Sequence, residues 1–126
     1  LNDELLKMLE REEQPGRFYA PGYRRFGLPH SASQAVYAES VAYALDLAHE
    51  LGDRARIRRY RDDLELALRF LMALQYQADE VPAGADPARV VGGIRTSIAD
   101  PRIRVDNVQH AVDAFRKTLL VLVRYP

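Results

Sequence analysis

Three side chains in this sequence are of the type and spacing that acid–base chemistry uses. Asp106 and His110 stand four residues apart, one helical turn, so a helix would place both on one face. A carboxylate in that position can orient an imidazole for proton transfer. Glu39 follows closely on an aromatic and basic stretch, where a carboxylate can act as general acid or base or hold a sugar hydroxyl. Each has a plainer alternative. Glu39 also suits the first turn of a helix, where it complements the macrodipole. Asp106 fits the same role, with His110 a surface neighbour, because Asp113 and Lys117 continue their stripe.

Binding residues concentrate in two connectors. The first, from Arg17 to Ser33, carries Tyr19, Tyr23, Arg24, Arg25, Phe26 and His30. Aromatic faces stack on sugar rings, and arginine forks clamp carboxylates or phosphates; the same loop could instead fold its rings over helix ends as a lid. The second connector spans residues 78–104. It offers Arg95, Arg102 and Arg104 to an anionic ligand, or to the carbonyls at helix C-termini. Gly92-Gly93 lacks the Lys-Ser/Thr of a phosphate loop. The histidines, His30, His49 and His110, show no HExxH-type spacing. No metal and no cofactor are expected.

Four helices must position these residues. Apolar periodicity and stop signals put them at about 3–13, 33–51, 53–77 and 106–123. Leu5, Leu6 and Leu9 line the first, which Pro15-Gly16 ends. Ser33 reads as the N-cap of the second and Gly52 as its C′ residue. Val36, Tyr37, Ser40, Val41, Tyr43, Ala44, Leu45, Leu47, Ala48 and Leu51 spread over more than half of that helix, which implies packing on more than one side. Asp53 caps the third helix, whose apolar face is Ile57, Tyr60, Leu64, Ala67, Leu68, Leu71 and Leu74. Its opposite face, with Arg58, Arg61, Asp62, Glu65 and Arg69, reads as solvated and salt-paired, and Asp62-Asp63 belongs to that outer surface. Val90, Val91 and Ile94 suggest a short extended piece. Val108, Val112, Phe115, Leu119 and Leu122 form the expected buried stripe of the fourth helix, and Tyr37, Tyr43, Tyr60 and Phe115 are assigned to the core. The Gly52-Asp53 link is too short for anything but an antiparallel hairpin. The fold class is all-α, built of antiparallel helical hairpins.

Composition removes several functions. The 126 residues suit at most one domain. Lys plus Arg and Asp plus Glu are 18 each, for a net charge of zero, so the basic excess of a dedicated nucleic-acid binder is missing. Absence of cysteine excludes disulfides and thiolate metal sites. No apolar run reaches the roughly 20 residues that span a bilayer, and Leu1, Asn2, Asp3 and Glu4 are unlike a signal peptide. A cytoplasmic location without membrane or nucleic-acid partners is expected. Arginine outnumbers lysine 16 to 2, which reads as a high-GC bacterial coding bias.

The run Ala38-Glu39-Ser40-Val41-Ala42-Tyr43-Ala44-Leu45-Asp46-Leu47-Ala48, then Leu51-Gly52-Asp53, then residues 67–75, resembles a hairpin of the (α/α) toroids. Gly92-Gly93-Ile94-Arg95 followed by residues 105–111 resembles that architecture's glycine pair and next inner helix. The resemblance covers about residues 33–120 and belongs to a superfamily of six-hairpin glycosidases, sugar epimerases, polysaccharide lyases and terpenoid cyclases. A full toroid needs about a dozen helices, so the resemblance implies a partial toroid, the C-terminal third of one or a shorter arc. No Trp is present and no dense acidic motif falls on an inner helix, which favours the carbohydrate branch over the cyclases. It implies that Glu39 faces the mouth of a cavity rimmed by the long loops, with Asp106, His110 and the loop aromatics converging on a saccharide or other polar, or anionic, small molecule. Two other readings stay open. One is a non-catalytic helical-repeat interaction module, although no 34-residue period recurs. The other is an assembly domain that forms homo-oligomers through the wide apolar arc of helix 33–51.

Overall fold

A computed structural model describes residues 30–126. The helix expected at 3–13 and most of the first connector, with Tyr19, Tyr23, Arg24 and Arg25, lie outside the described residues. Among those described, the elements are α1 (Ser31–Glu50), α2 (Arg54–Ala73), a 3₁₀ turn (Ala78–Glu80), α3 (Pro87–Val90) and α4 (Val105–Arg124). None of these helices is long and apolar enough to cross a membrane. The chain is all-α, and α1 and α2 form the expected hairpin.

Local chemistry explains the ends of that hairpin. Gly52 takes a positive φ of 66°, the left-handed conformation that glycine adopts without a Cβ penalty. The Gly52 N–H donates to the His49 carbonyl and the Asp53 N–H to that of Ala48, at 3.1 and 2.9 Å, a Schellman closure. Asp53 then caps α2 by accepting from the Arg56 N–H at 3.0 Å. The start of α1 differs from the expected Ser33 cap. Extended His30 holds the N-cap position with no side-chain cap bond. The Ser31 N–H donates instead to the Thr96 carbonyl at 2.8 Å, so a distant acceptor does the work of a local cap and the helix begins two residues earlier. α2 ends at Ala73 rather than 77 because the next residues pair with the second connector. Tyr76 N–H donates to Gly93, and Arg95 N–H donates to Leu74. Isolated bridges link Gln75 to Ile94 and Arg95 to Ile103, while Val90 is helical rather than extended. Gly93 is needed here: a Cβ would lie 2.5 Å from Ile103 Cδ1 and 3.0 Å from the Val90 carbonyl oxygen.

Helix α1 is central. Both α2 and α4 pack on it and scarcely touch each other. Its Ala35, Ala38, Val41, Ala42 and Leu45 are fully buried, together with Leu71 from α2 and Leu74 at its C-cap. Burying each of the leucines contributes about 1.5–3 kcal/mol. The covering is two-sided, and a third side of α1 stays bare: Val36, Tyr43 and Leu47 are about half exposed. Tyr37 and Tyr60 lie in the core and Phe115 packs against it, but Tyr43 does not. The α2 face matches its periodicity, with Phe70 and Asp63 added to the buried set. Asp63 was expected on the outer surface. Its side chain is buried, with Arg59 at 3.8 Å.

The largest correction concerns α4. Its buried residues are Asn107, Ala111, Ala114, Thr118 and Val121. Of the expected stripe, only Val108 and Phe115 pack partly on the core, while Val112, Leu119 and Leu122 are exposed. The physical reason is close approach. Small residues on α4 meet the alanine-rich flank of α1, and the larger side chains turn aside.

Candidate functional site

The seam between α1 and α4 brings together two of the three expected acid–base side chains, Glu39 and His110, in a row of charged groups. Glu39 Oε2 lies 4.0 Å from His110 Nδ1. Lys117 Nζ donates to Asp46 at 2.7 Å, and Arg124 reaches Asp46 at 3.4 Å and Glu50 at 3.5 Å. His110 follows Glu39 by 71 residues, Lys117 follows Asp46 by 71, and Arg124 follows Glu50 by 74. A near-constant offset with rising numbers means that α1 and α4 run parallel and in register. Their ends agree. Thr96 joins the N-termini, its carbonyl accepting from Ser31 N–H and its Oγ1 from Asn107 Nδ2 at 2.8 and 2.9 Å. At the C-termini the His49 and Tyr125 rings stack at 4.3 Å.

Glu39, Asp46 and Glu50 therefore share one edge of α1, and His110, Lys117 and Arg124 the adjoining edge of α4. The row alternates in sign across the seam and is half-open to solvent at its upper pair, where the Glu39 and His110 side chains are 29% and 35% exposed. The 4.0 Å separation exceeds direct hydrogen-bond distance, and only a hydroxyl set beside the pair, not between them, would reach both groups. That is geometry for moving a proton onto or off a small polar group. Deeper in the row, the Lys117 hydrogen bond and charge hold the Asp46 carboxyl below the usual carboxylate range. Lys117 also lies 4.3 Å over the Tyr43 ring, which explains why this half-exposed tyrosine stands at the edge of the row rather than in the core.

Structure places Asp106 differently from its sequence partner. Arg104 grips it with two bonds, Nε to Oδ1 at 2.9 Å and Nη2 to Oδ2 at 2.8 Å. That hydrogen-bonded pair lowers the Asp106 pKa and raises that of Arg104. The carboxylate expected to orient His110 is thus engaged elsewhere, and Glu39 takes the place beside the imidazole. The other connector arginines are likewise held internally. Arg95 pairs with Glu80 and lies 4.4 Å over the Tyr76 ring. Arg102 clamps Asp100, and that hydrogen bonding brings the Asp100 carboxyl down to about 2. A ligand carboxylate would have to displace an internal one at Arg95, Arg102 or Arg104. His30 is exposed at the start of α1. Among the described residues, no three His, Asp or Glu side chains gather to hold a metal ion.

A buried polar group at the same end of the helices escaped the sequence reading. Thr96 Oγ1 donates to the Arg102 carbonyl at 2.9 Å while accepting from Asn107. Ser31 and Gln34 are fully buried beside this end, and among the described residues neither the Ser31 hydroxyl nor the Gln34 amide atoms have a hydrogen-bond partner. The available signal was positional: Gln34 falls three and seven residues before Tyr37 and Val41, on their buried arc. The chain matches no protein-family model, no curated protein and no solved structure.

Proposed function

We propose that this chain is an arc of an (α/α)-toroid enzyme that acts on a carbohydrate or similar polar small molecule, with Glu39 and His110 exchanging a proton with a substrate hydroxyl or glycosidic oxygen. One observation carries the reading: a carboxylate and an imidazole 4.0 Å apart on the open edge of two parallel, in-register helices. The rest of the packing supports it. Parallel neighbours with an antiparallel helix behind one of them are what successive hairpins of such an array would present. Shifting the bare α1 residues Val36, Tyr43 and Leu47 by 71 lands on Asn107, Ala114 and Thr118, of the buried seam of α4. The bare side of α1 is thus the side on which an array would set a preceding parallel helix. Internal pairing of Arg95, Arg102 and Arg104 favours a neutral polar substrate over an anionic one.

Turnover of neutral and uronic-acid oligosaccharides by the protein carrying this chain tests the reading, with Glu39→Gln and His110→Asn as variants. Both are expected to lower kcat at least 10²-fold, as loss of a positioned acid or base does, with Tm unchanged. No turnover of any saccharide by the unaltered protein, or full turnover by both variants, would contradict the proposal. A non-catalytic interaction module is the second reading, favoured by the half-exposed Val36, Tyr43 and Leu47. It expects Leu47→Glu to abolish partner binding while Glu39→Gln does nothing.

A further inference from the structure

The outer stripe of α4 is a heptad seam that is largely uncovered among the described residues, with only Val108 and Phe115 packing partly on the core. Val105, Val108, Val112, Phe115, Leu119 and Leu122 recur at intervals of three and four, the spacing of one continuous helix face. Val105 is 83% exposed, Leu119 62%, Val112 54% and Leu122 43%. With neighbouring Val123 they present on the order of 500 Å² of apolar surface, at the upper end for a lone monomer.

The 71-residue register indicates what such a face holds. It carries Tyr37, Val41, Ala44 and Ala48 of α1 onto Val108, Val112, Phe115 and Leu119 of α4. On α1 those positions lie on the flank turned away from the Glu39 row, buried or packed into the core, and α2 is the helix that packs there antiparallel to α1. α2 meets α1 with Tyr60, Leu64, Ala67, Leu71 and Leu74, again at intervals of four and three. The α4 stripe is therefore shaped for an antiparallel helix bearing large apolar residues at that spacing. A two-fold axis beside α4 supplies one, since it brings a second α4 antiparallel with the same spacing read backwards. Two such faces total about 1,000 Å², the lower bound for a specific interface. The chain's net charge of zero sets no long-range repulsion against pairing.

We propose that the chain forms a two-fold symmetric homodimer through this outer face of α4. The Glu39–His110 row lies on the other edge of α4 and stays open in the dimer, whereas a further hairpin helix of a toroid array would compete with the second copy for this face. Mass measurement by light scattering and sedimentation at about 50 μM tests it. A mass of twice 14.3 kDa is expected. Leu119→Glu combined with Val112→Glu is expected to give the monomer with unchanged helical circular dichroism, as both positions are exposed in the single chain. Leu47→Glu, a similarly exposed leucine on α1, is expected to leave the dimer intact. A monomeric unaltered chain overturns the proposal. So does a dimer that survives the double α4 substitution or that dissociates with Leu47→Glu.

Discussion

At the scale of single residues, the Asp46–Lys117 contact is the most heavily enclosed link of the row, with both side chains under one-fifth exposed. A charge-assisted bond of this kind contributes more than a surface pair. Asp46→Asn is expected to destabilise the chain by about 1–2 kcal/mol in chemical denaturation, and the same change at Glu65, paired to Arg69 on the open face of α2, by less than about 0.5 kcal/mol. The carboxyls of Asp46, Asp53, Glu80, Asp100 and Asp106 all titrate below their ordinary range because hydrogen bonds to Lys, Arg or backbone N–H favour their charged forms. A depressed carboxylate pKa gives stability that is present above the unfolded value, near 3.9–4.3, and lost as pH falls through the folded one. Stability is therefore expected to be flat from pH 7 to about 5 and to fall between about 4 and 2. A denaturation midpoint that rises over that acid range would contradict the pairing. Gln34 gives the opposite expectation to most buried positions. Its amide has no partner among the described residues, so Gln34→Leu should leave stability unchanged or raise it by about 1 kcal/mol.

Among the elements, the second connector is held by backbone pairing rather than by a core, and Gly93 is its narrowest point. Gly93→Ala is expected to cost about 1–3 kcal/mol through the clash with Ile103 and the Val90 carbonyl. Gly84→Ala meets no atom within 4 Å and should cost about 1 kcal/mol, from its positive φ alone. Thermal melts of the two variants separate these causes. The elements also show what was legible in the sequence and what was not. Gly52 and Asp53 announced the hairpin because their effects are local: a left-handed glycine and a capping carboxylate act within one turn. The start of α1 was misplaced because its first N–H is satisfied by Thr96, 65 residues away, which no local pattern reveals. The end of α2 shifted for a similar reason, since Gln75 and Tyr76 retain helix-like composition but pair with residues 92–95. The α4 stripe was found and assigned to the wrong surroundings. Periodicity identifies which residues share a face, and only the choice of neighbour decides whether that face is covered. Glu39 and His110 were singled out by type, whereas their meeting depended on the parallel register of helices 71 residues apart. Asp106 was paired with the wrong partner because one helical turn lost to a bidentate arginine two residues away.

For the whole molecule, one arrangement underlies the row of charges, the bare side of α1 and the outer stripe of α4: α1 and α4 lie side by side, parallel and in register. An antiparallel pair with its ends aligned would set Glu39 beside Arg116 and carry Glu50 to the far end of α4 from Arg124. The chain has no cysteine, so spin labels can be attached at chosen pairs of introduced cysteines without other changes. Distances between labels on Glu39→Cys with His110→Cys, on Glu50→Cys with Arg124→Cys, and on Glu39→Cys with Arg124→Cys measure the register directly. The first two pairs are expected to be short and similar. The third pair is offset along the axis by the rise of fourteen helical residues, about 20 Å, and should be clearly longer. A Glu50–Arg124 distance well above that of Glu39 with Arg124, the order an antiparallel pair gives, would contradict the parallel pairing and with it the site.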